Sequence, residues 1–240
     1  MIPIYYDFHI HSCLSPCGDD DMTPGNITGM ALIKGLQAIA LTDHNTARNC
    51  PAASKHAKEY GITFIPGMEL TTQEEFHVVC LFPEIDAALD FDRYVYGRLL
   101  QINNKPEIFG EQYIMDENDE VAGVEKTLLI SATDIGFDEV QPLVEARGGI
   151  IIPAHVDKSS TSIISNLGFI PESAEFTCAE FKNIERISEY EEKYPYFRKC
   201  RKITNSDAHY LENINEAVNC IHAEENTPES IINALRTPRR

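Results

Sequence analysis

The histidines and several acidic residues of this chain are concentrated in short motifs, each at the polar end of an apolar run. Imidazole nitrogen and carboxylate oxygen are ligands that zinc, manganese and iron accept, and a catalytic site needs several of them converging. The motifs therefore predict a multinuclear metal centre. In chain order they are Asp7-Phe8-His9-Ile10-His11, Thr42-Asp43-His44, Gly67-Met68-Glu69 followed by His77, Pro153-Ala154-His155, and Ser206-Asp207-Ala208-His209.

The spacing within two motifs supports this interpretation. Residues two apart on a strand point to the same face, so Asp7, His9 and His11 share one face, as do Asp207 and His209. A lone strand-end histidine is more often a hydrogen-bonded structural residue. Recurrence favours metal binding, because barrel and doubly wound folds carry their chemistry just past buried parallel strands.

Strand and helix signals alternate along the chain. Strands are predicted over residues 4–11, 38–42, 62–66, 76–82 and 149–153, with helices over 23–34 and 51–60. This repeating pattern predicts an α/β fold with parallel strands and right-handed crossovers. Residues 1–240 are predicted to form one domain, since no Pro/Ser-rich linker divides them. Residues 83–132 are polar and acidic and predict an insertion, either a lid or a solvated excursion.

Charge and composition bear on partners and compartment. A net charge of −18 repels nucleic acid phosphates, so long duplex nucleic acid is not expected, whereas a small phosphorylated molecule at a recessed metal cluster is compatible. No apolar stretch is long enough to span a bilayer, and the N-terminus enters directly into the first strand, so we expect a cytoplasmic protein without a membrane partner. The oligomeric state is not indicated.

The cysteines also fit a reducing compartment. Their number is seven, and no Cys-x-x-Cys is repeated. Cys13 and Cys17, in the loop after His11, are the only pair to consider as ligands of a soft metal, and a third nearby cysteine is lacking. Most of the cysteines are predicted to be small buried apolar residues.

The ordered set of motifs from Asp7 to His209 resembles the PHP family, the polymerase and histidinol phosphatase domain. This resemblance implies a distorted seven-stranded, TIM-barrel-like (β/α) barrel, two or three divalent ions (Zn, Mn or Fe) and phosphoesterase chemistry. It also implies that Asp7 and Asp43 orient the histidines beside them. The implied ligands are His9, His11 and Asp207 for the first ion, Glu69 as the bridge, His77 and His155 for the second ion, and His44 and His209 for the third.

One position departs from the family pattern. The family usually has an aspartate or histidine a few residues after the His-x-His pair, and here Asp19, Asp20 and Asp21 compete for that role. Asp21 is favoured because it directly precedes Met22-Thr23-Pro24, at a well-defined distance from the helix start. If none of the three is a ligand, the centre holds two ions.

The predicted function is metal-dependent hydrolysis of phosphate esters in a small phosphorylated metabolite or nucleotide. Paired ions lower the pKa of a bound water, which acts as nucleophile, and neutralise charge on the phosphoryl group. Arg48 and Lys158 closely follow two of the motifs and are predicted to contact the substrate. Two alternatives remain: an amidohydrolase-type carbon–nitrogen bond hydrolase, which usually has a carboxylated lysine, and a non-catalytic metal-binding regulatory module.

Overall fold

The computed structural model describes residues 1–237, so the last three residues of the predicted domain lie outside the described residues. It shows an α/β fold around a curled sheet. In chain order the elements are β1 (Ile2–Asp7), α1 (Pro24–Ile33), β2 (Ala38–Leu41), α2 (Cys50–Tyr60), β3 (Thr63–Thr71), β4 (His77–Leu81), α3 (Ile85–Tyr96), α4 (Pro106–Phe109), β5 (Tyr113–Met115), β6 (Val121–Val124), α5 (Phe137–Glu145), β7 (Ile150–Pro153), α6 (Ile163–Leu167), β8 (Cys178–Glu180), α7 (Ile187–Lys193), β9 (Arg201–Ile203), β10 (Cys220–Ala223) and α8 (Pro228–Arg236).

The main sheet has six strands in the order β10-β1-β2-β3-β4-β7. Strands β1, β2 and β3 are parallel, as predicted. Strand β4 is antiparallel to both β3 and β7, and β10 is antiparallel to β1, so the prediction of parallel strands throughout was wrong. Residues 72–76, which join β3 to β4, are too few for the crossover that a parallel pair requires.

Strands β8 and β9 form a separate parallel pair that lies between β7 and the chain beyond β1. Val156 N donates to Glu180 O at 2.9 Å on one side, and His11 N donates to Ala208 O at 3.0 Å on the other. Through these two hydrogen bonds, the segment from β8 to Ala208 closes the gap between β7 and the residues after β1. The predicted count of seven barrel strands is not confirmed, because the continuous ladder contains six strands.

Strands β2, β3, β4 and β7 are almost entirely buried, so both of their faces are covered. In β2, Ala38 and Ala40 face an inner core that α8 covers, whereas Ile39 and Leu41 pack with residues of α1 and α2. With both faces occupied by apolar side chains, polar residues of the strands can collect only at strand ends. Within residues 1–237, no helix combines the length and apolar character needed to cross a membrane.

Strand β3 is longer than the predicted strand over 62–66, and its extension carries the Gly67-Met68-Glu69 motif. A Cβ atom at Gly67 would lie 2.7 Å from Cys80 O, closer than real side chains come. Glycine therefore permits the close approach of β3 to β4 that brings Glu69 beside the start of β4.

The segment 83–132 contains α3, α4 and the β5–β6 hairpin, so it is more regular than predicted. It is anchored at two places to the polar end of the sheet. Asn45 Nδ2 donates to Leu129 O at 2.6 Å, and Met115 N donates to Asn49 Oδ1 at 2.9 Å. Leu99 and Leu129 also form a small apolar cluster with Leu14. Whether this insertion acts as a lid stays a prediction.

Candidate metal centre

The strand directions explain how distant motifs meet at one end of the sheet. Strands β1, β2 and β3 are parallel, and β7 runs with them because two antiparallel pairings separate it from β3. Each of these four strands has one of the sequence motifs in its last residues or directly after its carboxyl end. Strand β4 runs the other way, so its first residue, His77, lies at that same end.

Glu69 is the residue around which the centre is organised. Its side chain is 1% exposed, and its two oxygens are approached by five imidazoles. A carboxylate offers about four lone-pair positions, so these neighbours exceed what hydrogen bonding alone would satisfy. The nitrogen-to-oxygen distances are 3.2 Å for His9, 3.3 Å for His11, 3.1 Å for His44, 2.9 Å for His77 and 3.1 Å for His155.

Asp207 is the second carboxylate of the centre. Its Oδ1 lies 3.6 Å from His9 Nε2, 3.5 Å from His11 Nε2 and 3.8 Å from His209 Nδ1. Asp207 and His155 both have left-handed backbone, with φ of 54° and 32°. Such conformations are costly for residues other than glycine and are concentrated at functional sites.

The donor arrangement fits bound divalent ions. His9 Nε2 and His11 Nε2 lie 3.2 Å apart, and one proton at most can serve that contact. His44 Nδ1 lies 3.1 Å from Glu69 Oε2 without hydrogen-bond alignment, and buried His155 Nδ1 has no hydrogen-bond partner among the described residues. Three groups have ligand atoms within 4.8 Å of one another: His9, His11 and Glu69; His44, Glu69 and His77; and His11, Cys17, His44 and His209.

The surroundings of the centre shift the pKa values of its carboxylates and imidazoles. Burial alone would raise the pKa of Glu69, but the imidazoles of His77, His9 and His44 hold it well below its usual range. Burial lowers the pKa of His44 well below the ordinary histidine value; Glu69 opposes this shift, and the neighbouring imidazoles, among them His11, add to it. Burial and His11 lower the pKa of His209 to about 4. Glu69 is therefore ionised and His44 is neutral near pH 7, which are the forms that bind metal.

Glu180, at the end of β8, was missed by the sequence analysis. Its Oε2 lies 2.9 Å from His9 Nδ1, so it orients the ring and turns Nε2 toward Glu69. The same carboxylate accepts from His155 N at 3.1 Å and Asn205 Nδ2 at 2.7 Å. The available signal was an acidic residue inside an apolar run, Cys178 to Phe181, without a histidine beside it.

Asp43 supports the centre by a different route from the predicted one. Its carboxylate accepts from Ser12 N at 2.6 Å, Ser12 Oγ at 2.7 Å and Ser15 Oγ at 2.7 Å. Ser15 Oγ lies 3.0 Å from His11 Nδ1. Asp43 therefore positions the ring of His11 through Ser15, whose Oγ also accepts from the main-chain N of His44 at 3.2 Å.

Asp7 likewise contacts the loop that carries Asp207. Its two carboxylate oxygens accept from Ser206 N and Asn215 N, both at 3.0 Å. That Asp7 also orients the histidine beside it stays a prediction. The bond from Ser206 N fixes the backbone just before Asp207.

The structure does not bring Asp21 into the centre. Its side chain is exposed, and its main-chain N donates to Asp19 Oδ1 at 3.0 Å within the loop. Asp20 is also exposed. The loop turns earlier than expected, so the ligand group near His44 contains Cys17 in place of an aspartate.

The two predicted substrate contacts have different surroundings. The Arg48 guanidinium pairs with Glu125 and lies 3.7 Å from Asp92 Oδ2 and 4.4 Å from the centre of the Tyr96 ring, so it is committed to structural contacts rather than placed at the centre. Lys158 Nζ lies 3.1 Å from Asp207 Oδ2, at the rim of the centre. Lys182, which the sequence analysis missed, has its Nζ 3.9 Å from the same oxygen.

Comparison with known proteins assigns the family. The PHP domain model matches residues 7–213, most of the chain, and a model described as PHP-associated matches residues 198–239. This chain therefore belongs to the PHP domain family, which confirms the resemblance found in the sequence.

Individual relatives and solved structures are also similar to this chain. The 5'-3' exoribonuclease of Haemophilus influenzae is 32% identical over 114 residues, 44% of this chain and 40% of the relative. The lesion-specific endonuclease EndoQ of Pyrococcus furiosus has a TM-score of 0.70 at 18% identity, covering 98% of this chain and 56% of that one. A protein of Bifidobacterium adolescentis assigned as a metal-dependent phosphoesterase has a TM-score of 0.62 at 17% identity, covering 89% and 91%. The chain thus spans about half or less of the exoribonuclease and endonuclease.

These relatives support the prediction of a metal-dependent hydrolase and correct the predicted partners. We expected a small phosphorylated molecule and no long duplex nucleic acid, whereas the relatives include exoribonucleases and an endonuclease seen with a 27-mer duplex substrate. The prediction was wrong because net charge sums the whole surface. The local charge differs from that sum, because Lys158 and Lys182 lie at the rim of the centre.

Proposed function

We propose that this chain is a metal-dependent nuclease that hydrolyses phosphodiester bonds of nucleic acid at the centre around Glu69. The observation that carries the proposal is the buried Glu69 carboxylate with five imidazoles against it. The family and the exoribonuclease relatives support nucleic acid as the substrate class.

One set of residues would hold the ions, and a second set orients the imidazole rings of the first. Glu69, His9, His11 and Asp207 would hold one divalent ion, and Glu69, His77 and His155 would hold a second. Such ions, when bound, supply positive charge to phosphoryl oxygens and lower the pKa of water. Glu180 keeps His9 Nε2 directed inward, and Ser15 does the same for His11.

The surroundings of the centre suit a sugar–phosphate backbone. A groove of about 610 Å³ adjoins His77, and most of its wall carries hydroxyl or amide groups. Lys158 and Lys182 provide ammonium groups beside Asp207. These groups bind phosphate and sugar oxygens without discriminating between bases. The polar residues that line the groove include Thr71, Ser131, Ser159, Ser160, Thr161 and Asn166.

The test is cleavage of labelled RNA and DNA oligonucleotides, single-stranded and duplex, by metal-free protein and by protein reloaded with manganese or zinc. We expect cleavage only after reloading, and a loss of at least about a hundredfold in Glu69→Gln. If the reloaded protein cleaves none of the oligonucleotides, the proposal is wrong.

The same assay tests the lysines. Lys158→Ala and Lys182→Ala should each lower kcat/KM by about tenfold with unchanged metal content, because each removes a charge-assisted hydrogen bond to phosphate. Lys202→Ala is the matched control, since Lys202 pairs with Glu191 instead of Asp207. If kcat/KM of both variants equals that of the control, neither lysine contacts the substrate.

A further inference from the structure

Cys17 differs chemically from the other candidate ligands. Its thiol and one ring nitrogen each from His11, His44 and His209 lie within 4.8 Å of one another. The other two groups of the centre contain only nitrogen and oxygen donors. One corner of the centre therefore has a soft sulfur donor that the rest lacks.

The backbone holds Cys17 in this position. Gly18 N donates to Ser15 O at 2.9 Å, which closes a turn around Cys17, and Asp19 N donates to His209 O at 3.0 Å. A Cβ atom at Gly18 would lie 2.3 Å from Ser12 O, so the turn requires glycine there. The thiol is thus directed at the histidines by a tight turn that is bonded to the loop of His209.

The histidines of this group also suggest a ligand. His44 is 3% exposed, and its Nδ1 has no aligned hydrogen bond among the described residues. The ring of His209 lies 4.3 Å from that of His11 and 6.5 Å from that of His44, centre to centre. The three rings are therefore close enough for one nitrogen of each to bind the same ion as the Cys17 thiol.

We propose that Cys17 is the thiolate ligand of a third ion, held together with His44 and His209, and that this site selects zinc over manganese. Thiolate and imidazole are preferred ligands of zinc, whereas manganese favours oxygen donors. The inference rests on the metal centre of the proposed function and is independent of its substrate.

Titration of the metal-free protein with cobalt(II) tests the thiolate directly, because sulfur ligation produces a near-ultraviolet charge-transfer absorption. We expect this absorption in the wild type and in Cys13→Ser. Cys13 is a matched control from the same loop, with its thiol directed at Tyr113 O. Cys17→Ser should lack the absorption and bind one ion fewer, and Cys17→His should recover that ion without the absorption.

Competition between the metals tests the selectivity. Wild-type protein loaded with zinc and then exposed to excess manganese should keep one zinc ion per chain that Cys17→Ser loses, as measured by elemental analysis. Absorption that persists in Cys17→Ser, or an unchanged ion count in that variant, would overturn the inference. Because no substrate enters these measurements, they can fail or succeed separately from the nuclease assay.

Discussion

At the scale of single residues, the histidines of the centre depend on neighbours that fix their rings and their protons. Glu180 faces His9 Nδ1, and Ser15 faces His11 Nδ1, so both rings present Nε2 to Glu69 and Asp207. Burial alone would lower the pKa of His9, but the carboxylates of Glu180, Glu69 and Asp207 raise it well above its ordinary value. The metal-free centre therefore keeps a proton on His9, which would have to leave before His9 could bind an ion.

This proton predicts how the stability of the metal-free protein varies with pH. A histidine whose pKa is higher folded than unfolded stabilises the fold fully below its unfolded value of 6.5, and this stabilisation is lost as pH rises through the folded value. We expect Tm in chelator to fall as pH rises above 6.5. Glu180→Gln should flatten that fall, because it removes the largest carboxylate contribution to the pKa of His9.

Thermal unfolding over this pH range measures the effect, with the exposed Glu172→Gln as control. The control should follow the wild-type curve. A slope in Glu180→Gln as steep as in wild type would show that Glu180 does not hold the proton on His9.

At the scale of elements, the insertion over residues 83–132 is tied to the loop after β2 by charged contacts. Arg48 pairs with Glu125 next to β6 and lies near Asp92 of α3, and both partners are buried. Its guanidinium also lies against the ring of Tyr96. Arg48 therefore connects three separate parts of the chain.

Arg48→Ala should accordingly act on stability and leave metal content unchanged. Removing one partner of a largely buried ion pair costs about 2–3 kcal/mol, which corresponds to a Tm decrease of roughly 5–10 °C for a chain of this size. Arg93→Ala is the control, because Arg93 pairs with Asp90 on the exposed face of α3. Calorimetry that gave equal Tm values for the two variants would contradict this role for Arg48.

Local signals account for the elements that the sequence predicted well. The Thr23 cap with Pro24, and Gly61 with φ of 71°, mark the start of α1 and the end of α2 at the residues expected. The direction of β4 was missed because its apolar run carries no information on strand direction. The available signal was the gap between the predicted strands over 62–66 and 76–82, which is too short for a parallel crossover. Glu180 was missed because its role depends on a contact with His9, which is 171 positions away in the sequence. The three-residue strand that carries it gives no local signal of that contact.

At the scale of the whole molecule, the acidic surface and the proposed substrate are reconciled by local charge. The net charge of −18 is spread over the chain, whereas the centre gathers histidines, two lysines and the ions that the family binds. Cations bound at Glu69 and Asp207 would neutralise the carboxylates that a phosphate approaches first. The proposed function thus depends on ion binding at Glu69.

The ion content of purified Glu69→Gln, measured by mass spectrometry, tests this central claim most directly. Glu125→Gln is the matched control, since Glu125 is a buried glutamate that contacts Arg48 instead of the histidines. We expect wild type and Glu125→Gln to contain more than one transition-metal ion per chain, and Glu69→Gln to lose most of them, because Glu69 contacts ligands on every side of the centre. A folded Glu69→Gln with the full wild-type ion content would contradict the account.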